Sequence, residues 1–498
     1  MNISKLVSAA SLALALAGVA SATPIIVNVT GSTAFRTATT AAEITTLSFA
    51  SGGGATNPVA AFIGSANGFE AATYSIIEGY LSDGVTQVIF RNDWTGATAG
   101  VTDLANGNVN LTWIPVASLG STTINSAGTG GTALSSGANT DTAAPQISMD
   151  DENYNDSAAS IVTAQSPGST YASHITGAAI QAGGTSGGAN GGPVAACTFQ
   201  WTLGALASGT GSQPFTNVTQ EQAAALLKQG YLSLAAFTGN SSDANNFVLY
   251  VGRNEDSGTR CAYDAESLGG GIFGSSAFGA SINQYMIKQS GAAYPTTPNY
   301  SGLSVGSNTV AGFQLWPKKT TDGSNVGWFV NTIPSLTWNS KGHSGYNTGG
   351  DIDTILETPN PVSTTGWTVS DAPANGGTFT LGTSTIYIIT CVGASDSHKI
   401  QLVTPSGGTA GIGLNYCGSA YNEANVDYGV YPLWTTEYLY YLTSATGTQV
   451  AIGSAQAAAD ALADAIYNTP TSGLANAGVK YSSIVARKSA LPAGSYPY

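Results

Sequence analysis

Phe247-Val248-Leu249-Tyr250-Val251-Gly252, followed directly by Arg253-Asn254-Glu255-Asp256-Ser257-Gly258-Thr259-Arg260, is the stretch on which the reading of this chain turns. The unbroken apolar run reads as a buried strand. Residues 261–268 suit a helix. The Ser-Gly-Thr turn between them therefore opens a helix, where unpaired backbone N–H groups and the helix dipole favour negative charge. Ser257 and Thr259 add two hydroxyls, and Arg253 at the strand end adds a planar fork matched to a tetrahedral oxyanion. That is the chemistry of an anion holder.

The same strand–turn–helix pattern recurs outward from this point. Residues 25–29 read as a strand, Gly31-Ser32-Thr33 as a turn, and residues 34–47 as a helix. Residues 88–91 form another short strand, followed by the loop Trp94-Thr95-Gly96-Ala97-Thr98-Ala99-Gly100 and a helical stretch over 101–106. Residues 145–149 are extended and lead into Asp150-Asp151. Residues 220–229 make an amphipathic helix with Ala223, Leu226 and Leu227 on one face, opened by a capping box of Thr219 and Gln222. Residues 455–467 make a late helix. Strands alternating with helices predict an α/β protein with parallel strands. Residues 120–143 and 177–192 are small-residue loops, and 300–380 mixes Trp, Thr, Asn and Gly in short strands and turns. All three read as insertions, and no solenoid repeat is present.

Composition bounds the function. Charged residues are 8% of 498 and the net charge is −14, which argues against nucleic acid or an anionic membrane as partner. With 42% apolar residues the chain can fill a large core, so disorder is set aside. Residues 1–22 read as an export signal: Lys5, an apolar stretch over 6–19, and Ala20-Ser21-Ala22 at the cleavage point. A soluble, periplasmic or secreted chain beginning near Thr23 is expected, without a membrane span. Cys197, Cys261, Cys391 and Cys417 lack metal-site spacing, and in an exported chain they favour disulfides. The expected pairs are Cys391–Cys417, the closest in sequence, and Cys197–Cys261, with buried thiols as the alternative.

Arg-x-x-x-Ser-Gly-Thr after a strand resembles the phosphate-binding proteins of ABC transporters, within the type II periplasmic-binding fold. Gly31-Ser32-Thr33-Ala34-Phe35 looks like that family's first phosphate loop. Ile147-Ser148-Met149-Asp150-Asp151 is similar to its strand ending in Ser-Asp, with Asp151 in the aspartate's place and Asp150 where the family has Ser. Thr198-Phe199-Gln200-Trp201 resembles the crossover strand. Residues 342–351 and 386–396 look like the Gly-rich helix start and the returning strand, and Gly429-Val430-Tyr431-Pro432-Leu433-Trp434 is like the late segment docking on the first lobe. The resemblance implies two lobes: 23–193 with 403–498, and 194–402 carrying the insertion at about 300–380. It implies a phosphate site of Ser32, Thr33, Asp151, Arg253, Ser257, Gly258 and Thr259, no cofactor, no metal and no catalytic residue. A monomer working with an ABC permease is expected.

Charge supports that site independently. A buried anion needs many hydrogen bonds, which two helix N-termini, four hydroxyls and Arg253 can supply. A carboxylate beside an anion is useful when the anion carries a proton: Asp151 accepts from phosphate and repels sulfate. Other readings stay open. Arg253 can pair with Glu255 or Asp256 at the surface, and Asp150-Asp151-Glu152 can be a solvated turn or a helix cap. Arg260 reads as a surface charge or a supporting one, not as a ligand. Gly269, Gly271 and Gly274 follow a helix instead of a strand, wrong for a dinucleotide site. Gly184-Thr185-Ser186-Gly187-Gly188 lacks the strand a nucleophile elbow needs. His174, His343 and His398 share no ligand spacing, and Trp316, Trp328 and Trp338 can stack sugars. Sulfate or molybdate as ligand, a cell-surface structural role and, last, a secreted hydrolase are the competing functions.

Overall fold

The computed structural model describes residues 23–64, 68–151, 180–182, 193–253, 257–267, 284–289, 310–316, 346, 349–357, 368–370, 378–380, 385–444, 450–468, 478–480 and 483–485. The export signal, Gly184–Gly188, the Gly269/Gly271/Gly274 run, His174, His343, Trp328 and Trp338 lie outside the described residues. Among the described residues no helix is long and apolar enough to cross a membrane.

The elements that position the site follow in chain order. They are β1 (Ile25–Gly31), α1 (Arg36–Thr46), β2 (Val59–Ile63), β3 (Tyr74–Tyr80), β4 (Gln87–Asp93), α2 (Ala97–Asn106) and β5 (Ile147–Asp150). Next come β6 (Ala195–Leu203), α3 (Gln220–Gln229), β7 (Tyr231–Ser233), β8 (Phe247–Tyr250) and α4 (Gly258–Ser267). The chain closes with α5 (Gly349–Glu357), β9 (Ile386–Gly393), α6 (Ala394–Leu402), β10 (Trp434–Leu442), α7 (Gln456–Asn468) and β11 (Gly478–Lys480). The predicted strands and helices thus form close to their predicted places. For α3 the reason is local: Thr219 accepts from Gln222 N, Gln222 Oε1 accepts from Thr219 N, and Gly230 ends the helix in the left-handed region.

The sheet runs β7-β8-β9-β6-β10-β5-β1-β4-β3-β2 and ends on a short strand, Thr132–Leu134. Strand–helix–strand crossovers make β1 parallel to β4 and to β5, and β8 parallel to β9. Hairpin neighbours β2, β3 and β4 pair antiparallel. Strand β6 serves both halves of the molecule. Its first residues, Ala195 to Thr198, pair antiparallel with β10, and Phe199 to Leu203 pair antiparallel with β9. All nine of its residues are buried. Strand β10 then pairs antiparallel with β5. One α/β half is built on β1–β5, the other on β7–β9, and β6 and β10 join them. The main apolar core runs through both, from Val27 and Phe35 across Trp201 to Val248 and Ile389.

The region read as an insertion at 300–380 divides. Gln284–Gln289, Val310–Trp316, Thr368–Ser370 and Thr378–Thr380 make a separate four-stranded sheet. Helix α5 lies within the same sequence range but packs its buried Ile352, Ile355 and Leu356 into the main body, where Ala205 N donates to Leu356 O at 2.7 Å.

The disulfide expectation is overturned. Cys197, Cys391 and Cys417 are thiols, so neither Cys391–Cys417 nor Cys197–Cys261 forms. Cys391 sits buried in the middle of β9, paired with Trp201. Cys417 lies in an exposed turn and is the one described non-glycine residue with positive φ, at 51°. Closeness in sequence did not bring the two side chains together, and a bridge needs Cα atoms within about 7 Å.

Candidate functional site

The C-terminal ends of β1, β5, β8 and β9 meet at one buried corner, on the side where α/β sheets hold ligands. Strand β1 ends at Gly31, whose φ of +116° only glycine adopts readily. A Cβ there would strike the Met149 backbone of β5. This closeness lets Ser32 N donate to Met149 O at 2.8 Å and turns the chain sharply into α1. Ser32 Oγ then accepts from Phe35 N at 3.1 Å and steadies the turn. The Trp94–Gly100 loop closes on the same corner. Gly96 N donates to Gly31 O at 2.9 Å, and Thr30 and Thr95 hydroxyls meet at 2.9 Å.

The second turn comes from β8. Ser257 Oγ accepts from Arg260 N at 3.2 Å, which caps α4. Arg260 is buried, a supporting charge and not a surface one: its Nη1 donates to Arg253 O at 2.7 Å, and its Nε pairs with buried Asp264 at 3.4 Å. Arg253 is buried, its Nε donating to Tyr346 O at 3.3 Å. A surface position for Arg253 is therefore excluded, and so is a solvated turn for Asp151, which is fully buried; Glu255 and Asp256 lie outside the described residues.

Two hydrogen bonds tie the halves together at this corner. Arg253 Nη1 donates to Thr33 Oγ1 at 3.0 Å, and Thr259 Oγ1 donates to Asp151 Oδ2 at 2.8 Å. A Cβ on Gly258 would strike both Asp151 Oδ1 and the Ala97 Cβ that opens α2, so only glycine fits there. Ser32, Thr33, Asp151, Arg253, Ser257, Gly258 and Thr259 all converge, buried, at the N-termini of α1, α2 and α4. Burial pushes the Asp151 carboxyl up to about 6, against the opposing pull of Thr259 and Arg253. Its Oδ1 is buried and accepts no hydrogen bond among the described residues.

A second charged corner adjoins the first. A Cβ at Gly393 would lie 3.1 Å from the Ala34 Cβ, which brings α6 against the first loop. There Asp396 abuts Gly349 at the start of α5 and pairs with Lys399 at 2.7 Å, while Lys399 reaches Asp353 at 3.8 Å. Burial works to raise Asp396, but the charges of Lys399, Arg36 and Arg253 prevail and hold it below the usual range. Asp353 is pushed well above that range by burial and by Asp396. Sequence reasoning missed this corner. Arg36 directly follows the first loop, and Asp396 opens a helix, but nothing local says that α1 and α6 meet. Asp150 is buried as well. His398 is exposed, and among the described residues no His/Cys/Asp/Glu cluster could hold a metal ion.

The halves of the molecule thus meet at a buried polar corner. No protein-family model matches the chain, and no curated protein matches it. Solved structures do. One is described as a substrate-binding protein of a phosphate ABC transporter from Clostridium perfringens, with phosphate bound. It is 10% identical with a TM-score of 0.37, over 91% of this chain and 98% of that one. An ABC-type phosphate transport receptor from Vibrio cholerae is 10% identical with a TM-score of 0.30, over 88% and 93%. PstS from Borrelia burgdorferi is 8% identical with a TM-score of 0.26, over 89% and 93%.

Proposed function

We propose that this chain is an extracytoplasmic solute-binding protein that captures phosphate between its two lobes and hands it to an ABC importer. One observation carries the reading. The bonds Arg253–Thr33 and Thr259–Asp151 join the lobes at a buried point where Asp151 Oδ1 has an unfilled acceptor. Three helix N-termini, a guanidinium and four hydroxyls favour a tetrahedral anion there. A carboxylate in the same pocket favours one that still carries a proton, because it accepts that proton's hydrogen bond. Asp151, pushed up only to about 6, is largely ionised at neutral pH and able to accept. Ser32, Thr33, Arg253, Ser257, Gly258 and Thr259 supply donors, and Asp151 reads the proton. The pocket holds its ligand and performs no bond chemistry.

The same two hydrogen bonds favour a second reading. Arg253 Nη1 and the Thr259 hydroxyl already meet protein acceptors, as they would in a surface protein that keeps its lobes locked. Calorimetry on refolded, ligand-free protein separates the two. Phosphate is expected to bind, and sulfate at least about tenfold more weakly. Arg253→Ala should cost at least about tenfold in phosphate affinity, about 1.4 kcal/mol, with Lys rescuing only partly. Folded protein that takes up neither anion leaves the locked-lobe reading.

A further inference from the structure

The register of β10 against β5 sets Tyr438 opposite Asp150, Leu439 opposite Met149 and Tyr440 opposite Ser148. The ladder ends at the Tyr438–Asp150 pair, and the next residues on the two segments, Glu437 and Asp151, lie close enough for the Asp151 charge to act on Glu437. Glu437 is fully buried, and neither of its carboxyl oxygens has a hydrogen-bond partner among the described residues. Its backbone is fixed on the other side by β6, where Val194 N donates to Glu437 O at 2.8 Å and Ala195 pairs with it. A charge so placed, with no donor, costs several kcal/mol.

Resting on the phosphate reading above, we infer that Glu437 is a residue that sets the affinity of the pocket for its anion. It is a neutral carboxyl behind Asp151 whose ionisation expels the anion. Three titratable groups lie in its field: Asp150 at the end of β5, Asp151 just beyond it, and Cys197 on β6. Of the helices packed on β10, α2 carries Asp103, α4 carries Arg260, Asp264 and Glu266, and α7 carries Asp460 and Asp464. Burial first, then Asp151 and Asp150, push the Glu437 carboxyl well above the usual range. An anion seated on Asp151 adds further negative charge on that side of the sheet, so the filled pocket holds the Glu437 proton more tightly than the empty one. Where Glu437 is partly ionised, binding draws one proton from solvent onto it. Rising pH then weakens binding, even where the phosphate itself no longer changes form.

The test is phosphate calorimetry on the full chain at about pH 8 and about pH 10, both above the second ionisation of phosphate, for wild type and Glu437→Gln. Repeating it in buffers of different ionisation enthalpy counts the protons taken up. Wild type should bind more weakly at the higher pH, by more than about twofold, and take up protons on binding. Glu437→Gln should hold its affinity to within about twofold and take up none, and Glu437→Met serves if the amide does not fold. A wild type that binds phosphate with the same pH profile and proton count as the variant overturns the role of Glu437 and leaves the phosphate reading intact. A wild type that binds no phosphate at either pH overturns both.

Discussion

Asp396 and Asp151 lie at adjoining corners of the site, both are buried, and burial acts on both in the same direction. They end on opposite sides of the ordinary carboxylate range. Asp396 lies among Lys399, Arg36 and Arg253 and is held low. Asp151 has neutral donors, the Thr259 and Ser32 hydroxyls and its own backbone N–H, with the Arg253 charge beside them, and rises to about 6. Glu43, in the first lobe, extends the series. Among the described residues its only side-chain donor is the Asn92 amide at 2.9 Å, and burial pushes it up to about 8. Desolvation is common to all three, and fixed cations decide the outcome. A carboxylate saturated with cations belongs to the scaffold. One left short of donors either stays neutral, as Glu43 does, or waits for a ligand to complete it, as proposed for Asp151.

That contrast predicts stability changes of opposite sign. Asp396→Asn should give the largest effect. It takes from Lys399 its 2.7 Å carboxylate partner, leaving the longer contact to Asp353, and removes a charge that opposes Arg36; breaking a buried pair from one side costs about 3–5 kcal/mol. Guanidinium unfolding measures it, and an equal or raised midpoint would break the comparison at its cation-rich end.

Glu43→Gln should act the other way. The folded-state value of about 8 lies above the ordinary glutamate value of 4.5, so the native state binds the proton more tightly than the unfolded chain. Wild-type stability should therefore be fullest at and below about pH 4.5, fall as pH rises, and level off above about pH 8. The variant should flatten that slope and gain on the order of 3 kcal/mol at the alkaline end. Matching pH–stability curves for wild type and variant would show that Glu43 ionises without penalty.

Asp151→Asn should give a smaller gain, on the order of 2 kcal/mol at neutral pH in the phosphate-free protein. Its window opens at the ordinary aspartate value of 3.8 and closes at about 6, and the amide oxygen can still accept from Thr259. Scanning calorimetry without phosphate reads this directly. A destabilised variant would move Asp151 into the same class as Asp396.

The legible parts of this molecule are those whose physics is local. Gly31-Ser32-Thr33 and Ser257-Gly258-Thr259 announce strand-to-helix turns within a few residues, and both turns form where expected. The α3 capping box was visible for the same reason. What stayed hidden depends on register and packing between distant segments. Glu437 is one acidic residue in an aromatic-rich strand, and it gains meaning only from the β10–β5 register. Asp396 lay inside a recognised stretch, but its neighbours Arg36 and Lys399 come together only when α6 meets the first loop. The cysteines show the reverse error, where proximity along the chain was taken for proximity in space.

The most direct measurement is the phosphate-to-sulfate affinity ratio of wild type and Asp151→Asn, with Glu43→Gln as the remote carboxyl control. If Asp151 reads the proton on the anion, the asparagine, which can also donate, should admit sulfate and lower the ratio at least about tenfold. Glu43→Gln should leave the ratio as it is in wild type. An Asp151→Asn protein that binds phosphate with the wild-type ratio would contradict a proton-reading carboxylate and leave the identity of the anion open.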